Sequence, residues 1–174
     1  MTYYEIHITC ANYHKDLFLD LCERYNIKNT EIAFPSMLKK DNHLMTSIRV
    51  KYDNEVTKEL NDYIKQIEYI FKDIDILRVK VEASKADTFK YIETHISFPL
   101  NFYSEFEKIN TDWVVSYNVN RPDMFSATKR IYDTDNIVNI LSDFECYKHL
   151  CYEKHIELEY CIYDSNILLD TGWL

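Results

Sequence analysis

One seven-residue pattern occurs twice in this chain, as YYEIHIT at residues 3–9 and as YIETHIS at residues 91–97. Both copies are rich in β-branched and aromatic residues, which favour β-strands. Because strand side chains alternate between faces, each copy places a tyrosine, a glutamate, a histidine and a hydroxyl residue on one face. A closed apolar core would leave such polar rows unpaired, so the pattern predicts that both rows line a wet cleft.

The predicted elements around these motifs follow one order in both halves of the chain. Hydrophobic periodicity predicts β-α-β-β-α-β within residues 1–84 and again within residues 88–174, with a short polar linker between them. The repetition predicts an α+β fold of two duplicated ferredoxin-like βαββαβ lobes about a pseudo-two-fold axis, with their sheets facing a central cleft. At 174 residues, the two lobes would together form one compact bilobal domain.

The composition excludes several classes of site and partner. Gly172 is the single glycine, whereas phosphate-binding loops, dinucleotide-binding turns and nucleophile elbows each need more than one. A net charge of −9 argues against general affinity for long nucleic acid. The sequence shows no apolar run of membrane-helix length and no signal peptide. The five cysteines lack the spacing of a disulfide framework, which favours reduced thiols and a cytoplasmic protein.

Two groups of residues have side chains that bind metals. The first lies on and just beyond a predicted helix of about residues 136–152, and comprises Cys146, His149, Cys151 and His155. These side chains would not converge on one tetrahedral zinc without breaking the helix. The second group consists of motif residues whose types suit a divalent ion, namely Glu5, His7, Glu93 and His95. We predict no metal and no cofactor, with the second group as the open alternative.

The paired motifs resemble those of the 2H phosphoesterase superfamily, which carries one H-x-[S/T] motif in each of two duplicated α+β lobes. His7-Ile8-Thr9 and His95-Ile96-Ser97 match that motif, and their histidines are 88 residues apart. The family includes RNA ligase-like proteins, 2′,3′-cyclic phosphodiesterases and phage enzymes that cut cyclic oligonucleotide signals. The match is confined to these two tripeptides, and the glutamate two residues before each histidine departs from the family pattern.

The resemblance implies a metal-independent phosphoesterase that acts on a cyclic phosphate or phosphodiester of a small nucleotide or oligonucleotide. His7 and His95 would act as general base and acid, because imidazoles titrate near neutrality. Thr9 and Ser97 would donate hydrogen bonds to phosphoryl oxygens. Other residues would support this chemistry: Glu5 and Glu93 by orienting the imidazoles, Arg49 and Lys129 by neutralising phosphate, and Tyr3 and Tyr91 by stacking on a base.

Two other interpretations stay open at this point. Duplication could have preserved a structural strand in which each histidine bonds a neighbouring glutamate. The chain could also be a non-catalytic module whose cleft binds a small ligand or a protein partner. The positions of the rings separate these interpretations, because an enzyme needs both imidazoles within reach of one phosphate, roughly 5–8 Å apart.

Overall fold

A computed structural model of the protein describes residues 2–34, 42–52, 56–109, 113–132 and 156–169. Eight strands account for about half of these residues: β1 Thr2–Ala11, β2 Lys28–Ala33, β3 His43–Tyr52, β4 Ile76–Ala83, β5 Tyr91–Pro99, β6 Val114–Asn118, β7 Met124–Ile131 and β8 Ile156–Asp164. Three α-helices join them within the same ranges: α1 Lys15–Arg24, α2 Val56–Ile70 and α3 Tyr103–Ile109. The predicted helix at about residues 136–152, and the cysteine and histidine group on it, lie outside the described residues. None of the described helices is long and apolar enough to cross a lipid bilayer.

The eight strands form one closed antiparallel barrel in the order β1-β3-β2-β6-β7-β5-β8-β4. The prediction of two ferredoxin-like lobes with facing sheets is therefore wrong. Strand β2 pairs with β6, and β4 pairs with β8, across the predicted boundary between the halves. Two separate sheets would each expose two edge strands with unpaired N–H and C=O groups, and joining the edges satisfies those groups.

The barrel places the two motif strands in corresponding surroundings. Strand β1 lies between β3 and β4, and β5 lies between β7 and β8. All of these pairings are antiparallel. The same residue of each motif therefore meets equivalent positions on two flanking strands, so the surroundings of the two histidines can be compared position by position.

The apolar residues pack between the barrel and the helices. The outward residues of β1 form one core with α1 and α2, including Ile6, Ile8, Phe18, Ile67 and Phe71. A second core beneath α3 includes Ile92, Ile96, Phe98, Phe106 and Phe125. Burying each such side chain stabilises the fold by about 1.5–3 kcal/mol. Since alternate residues of these strands face the helices, the polar faces of the strands face the interior of the barrel.

Candidate functional site

The interior of the barrel is polar because charged residues alternate with apolar ones on its strands. On β4, Arg78, Lys80 and Glu82 alternate with the buried Val79 and Val81. The motif residues occupy the same face of β1 and β5. A cavity of about 190 Å³ lies among these side chains, and its lining includes His7, Thr9, Arg78, Lys80, Glu93 and His95. The structure thus brings both motif histidines to one cavity.

His7 is buried, and both of its ring nitrogens have partners. Nδ1 donates a hydrogen bond to the backbone carbonyl oxygen of Thr46 at 2.9 Å. Nε2 lies 3.0 Å from Oε2 of Glu82. Burial by itself lowers the pKa of His7, but the hydrogen bond and charge of Glu82 outweigh burial, so the pKa is raised above its ordinary value. Glu82 therefore stabilises the cationic form of this imidazole by more than burial disfavours it.

His95 is more accessible and has more acidic neighbours. Its side chain is 26% exposed. Nδ1 lies 2.9 Å from the Thr128 hydroxyl, and Nε2 lies 3.2 Å from Oε2 of Glu93 and 3.1 Å from Oε2 of Glu159. Burial lowers the pKa of His95, but Glu159 and Glu93 outweigh it and raise the pKa to about 10. His95 therefore holds a proton at neutral pH.

Lys80 stands between the carboxylates that hold the two histidines. Its Nζ atom lies 2.6 Å from Oε1 of Glu82 and 2.8 Å from Oε2 of Glu93. Burial raises the pKa values of both glutamates, but the charge of Lys80, followed by contacts with the histidines, lowers them below their ordinary values. Both carboxylates therefore stay ionised inside the barrel, where an unpaired charge would be costly.

A second buried ionic cluster joins β4, β5 and β8. Arg78 donates two hydrogen bonds to Asp164, from Nε at 2.9 Å and from Nη2 at 2.7 Å. The Tyr91 hydroxyl donates to the same carboxylate at 2.5 Å and accepts from Arg78 at 2.7 Å. The guanidinium of Arg130 lies 4.3 Å from the centre of the Tyr91 ring. Tyr91 is therefore a buried structural residue, and its ring is not available to stack on a base.

Tyr3 and Glu5 of the first motif do not line the histidine cavity. Tyr3, Glu5 and Arg49 line a second cavity of about 320 Å³, together with Glu82 and Glu159. Glu5 accepts hydrogen bonds from Ser47 and from Nε of Arg49, the latter at 3.0 Å. The predicted orienting role toward His7 is thus occupied by Glu82 rather than by Glu5.

The remaining predicted residues divide between the cavity and the outside of the barrel. Thr9 lines the histidine cavity, whereas the Ser97 hydroxyl lies 3.5 Å from that of Ser126, which lines it. Lys129 is not brought to the cavity. It faces Trp113, with Nζ 5.9 Å from the ring centre, and the next residue, Arg130, faces inward to bind Glu93 at 2.8 Å.

Sequence reasoning missed Lys80, Glu82, Arg78 and Glu159, which now define most of the site. A signal was present for the first three. The segment Arg78-Val-Lys80-Val-Glu82 alternates charge with valine, as a strand with one polar face does. The contacts of Glu82 with His7 and of Glu159 with His95 depend on the pairing of β1 with β4 and of β5 with β8, which no local pattern specifies.

Three side chains that could bind a metal ion lie close together, and His95 is one of them. Glu82, His95 and Glu159 each bring one ligand atom within 4.8 Å of the others, a spacing compatible with a metal ion. The same side chains already form ion pairs, since Glu82 contacts Lys80 and His7 and Glu159 contacts His95. A divalent ion would have to displace His7 and Lys80 from Glu82 and the proton from His95, so we assign no metal to this group.

Comparison with known proteins adds no further assignment. No protein-family model matches the chain, and no curated protein matches it. The resemblance to 2H phosphoesterases therefore stays a prediction from the two sequence motifs.

Proposed function

We propose that the barrel interior is the active site of a metal-independent phosphoesterase, whose substrate is a cyclic phosphate or phosphodiester of a small nucleotide or oligonucleotide. One observation carries this proposal: His7 and His95, from the two copies of the motif, line the same cavity. Two imidazoles beside one phosphate can remove a proton and supply another, so the reaction needs no metal-bound water.

The cavity contains basic side chains, but it is small. Arg78 and Lys80 line the cavity with the histidines, and a phosphodiester would share them with the carboxylates that they already bind, which are Asp164 for Arg78 and Glu82 and Glu93 for Lys80. The volume of about 190 Å³ is below the range of about 300–1,000 Å³ typical of ligand pockets. The cavity would hold a phosphate with part of its sugar, and the rest of the substrate would remain outside.

The two histidines suit different roles. With a pKa raised to about 10, His95 would act as the general acid that protonates the leaving oxygen. His7 would act as the general base from its neutral form, and since Glu82 raises the pKa of His7, Nε2 would have to leave Glu82 in order to accept a proton. Its Nδ1 is held by the Thr46 carbonyl, so Nε2 is the nitrogen that would exchange a proton with the substrate. Thr9, which lines the cavity, would donate a hydrogen bond to a phosphoryl oxygen.

A reducing, cytoplasmic location is part of the same proposal. The cysteines within the described ranges, Cys10, Cys22 and Cys161, are buried free thiols. Burial raises the pKa of Cys10 to about 12 and that of Cys22 to about 11, so neither is an activated nucleophile.

The test is a turnover screen with 2′,3′-cyclic nucleotides and with cyclic and 2′-5′-linked oligonucleotides, in the presence of EDTA. His7→Ala and His95→Ala should each lower turnover by about 10²–10⁴-fold. The double variant should be little worse, because the two residues act as a unit. Lys129→Ala, outside the cavity, is the matched control and should retain wild-type turnover. Unchanged turnover in the double histidine variant would reject the proposal.

A non-catalytic binding module is the second candidate. The observation that favours it is that both ring nitrogens of His7 already have protein partners. Under this alternative, nucleotides bind with measurable affinity by calorimetry, and no member of the panel is converted to product. Both histidine variants would then weaken binding without any change in turnover.

A further inference from the structure

A continuous chain of ionic contacts runs from one histidine to the other through Lys80. Nε2 of His7 lies 3.0 Å from Glu82, whose other oxygen lies 2.6 Å from Nζ of Lys80. The same Nζ lies 2.8 Å from Oε2 of Glu93, and that oxygen lies 3.2 Å from Nε2 of His95. Glu82 is on β4 and Glu93 on β5, so the chain links the two halves of the barrel.

We propose that Lys80 is a positioning residue that couples the two histidines, a role that rests on the proposed function. By binding Glu82 and Glu93 together, it limits how tightly each carboxylate holds its imidazole. Lys80 acts through these carboxylates, since its ammonium group contacts them rather than the imidazoles. Without Lys80, Glu82 would interact more strongly with His7 and would stabilise its protonated form. A general base must be unprotonated in order to act.

Position on the strands shows why one lysine serves both sites. On β4, Lys80 is the register partner of His7, and on β8 the register partner of His95 is Glu157. The second half therefore has a carboxylate where the first has its lysine. A single ammonium at the first position reaches the carboxylates of both halves.

Loss of Lys80 should affect His7 and His95 unequally. Glu93 also binds Arg130, with Nε 2.8 Å from Oε1. Among the ion pairs of the described residues, Glu82 has Lys80 and His7 as its cations. Loss of the lysine would therefore leave Glu93 compensated by Arg130, and it would leave Glu82 with His7 alone. The larger effect should fall on His7.

The charged and titratable neighbours of His7 come from three strands besides its own. They are Glu5 on β1, His43 on β3, Arg78, Lys80 and Glu82 on β4, and Glu93 and His95 on β5. Glu82 is the carboxylate in ion-pair contact with His7, and its charge raises the pKa of His7 whereas that of Lys80 lowers it. Lys80 is therefore the cation that competes with His7 for Glu82.

The experiment is an NMR titration of the histidine side chains in the full chain, with the wild type, Lys80→Met and Lys80→Arg. In Lys80→Met, the titration midpoint of His7 should move to higher pH by about one unit, and that of His95 should move less. Lys80→Arg keeps the positive charge and should remain closer to the wild type. Unchanged midpoints in Lys80→Met would overturn the proposal.

A second pair of variants removes the carboxylate through which Lys80 acts. If the coupling runs through Glu82, adding Lys80→Met to Glu82→Gln should move the His7 midpoint by well under one unit, because only the direct charge effect of Lys80 on His7 remains. A shift of one unit or more between these two variants would reject the route through Glu82, and this comparison remains available if Lys80→Met alone does not fold. Turnover is measured in parallel. Failure of the wild type to turn over any substrate rejects the proposed function, whereas the titrations decide the coupling by themselves.

Discussion

The two histidine sites begin from the same strand motif and acquire different surroundings. His7 is sequestered, donates to a backbone carbonyl and contacts one carboxylate, Glu82. His95 is 26% exposed, contacts a hydroxyl and lies between two carboxylates, Glu93 and Glu159. A duplicated motif thus presents one imidazole that is held in a fixed orientation and another that is held firmly protonated.

The difference arises on the flanking strands rather than within the motif. The β3 strand offers His7 the Thr46 backbone, whereas β7 offers His95 the Thr128 side chain. Opposite the histidines, β4 supplies a lysine and β8 supplies a glutamate, Glu157. The motif determines which face an imidazole occupies, and the neighbouring strands determine its charge.

The largest effect should separate the glutamates at equivalent positions, Glu82 and Glu159. Glu82→Gln removes the buried carboxylate that pairs with both His7 and Lys80, and should lower the free energy of unfolding by about 3 kcal/mol. Glu159→Gln should cost less than about 1 kcal/mol, because its side chain is 24% exposed and His95 keeps Glu93. Urea denaturation measures both. Equal losses would mean that the two sites do not differ as described.

The next effect is a pH dependence that belongs to His95. Its folded pKa of about 10 exceeds the ordinary value of 6.5, so its stabilisation is complete below pH 6.5 and is lost as the pH rises to about 10. His95→Gln should remove this dependence, about 2 kcal/mol after allowance for partial exposure. Denaturation across this range measures it. Glu159→Gln should narrow the pH range over which this stabilisation is lost, because it removes one of the carboxylates that raise the pKa of His95. Identical pH profiles of stability for wild type and His95→Gln would contradict the assignment of this dependence to His95.

The basic residues at equivalent positions should differ next. Arg130→Ala removes an ion pair with Glu93 and a contact with the Tyr91 ring, and should cost about 2 kcal/mol. Arg49→Ala should cost about 0.5 kcal/mol or less, because that side chain is 73% exposed. Thermal unfolding would show the difference. Lys129→Ala serves as a control on the same strand as Arg130. If it lowered stability as much as Arg130→Ala does, Arg130 would not be the inward-facing residue of this pair.

The smallest contrast lies between the two motif tyrosines. Tyr91→Phe removes the hydroxyl that joins Asp164 and Arg78, and should cost about 1–2 kcal/mol. Tyr3→Phe should change stability by less than about 0.5 kcal/mol, because Tyr3 is 46% exposed. Denaturation of both variants under one set of conditions tests the contrast, which equal values would remove.

The motif faces could be predicted from the sequence because alternation along a strand is local. The period of two assigned His7 and His95 to polar faces, as the structure has them. Closure of the barrel could not be predicted, because the β2–β6 and β4–β8 pairings join strands distant in the chain. The prediction that Lys129 neutralises phosphate failed for a similar reason, because the local sequence does not specify the register of β7. A one-residue change of register moves a side chain to the other face, and Arg130 is the residue opposite Glu93.

The shortest pairing of the barrel has a consequence for backbone exchange with solvent. Strands β2 and β6 meet in two registered pairs, Ile32 with Asn118 and Ala33 with Tyr117, whereas eight pairs align β1 with β3. Local opening should therefore begin at this junction, where amide protons should exchange with deuterium faster than those of β1. Because Ile32 also lines the histidine cavity, an occupant of that cavity should slow exchange there.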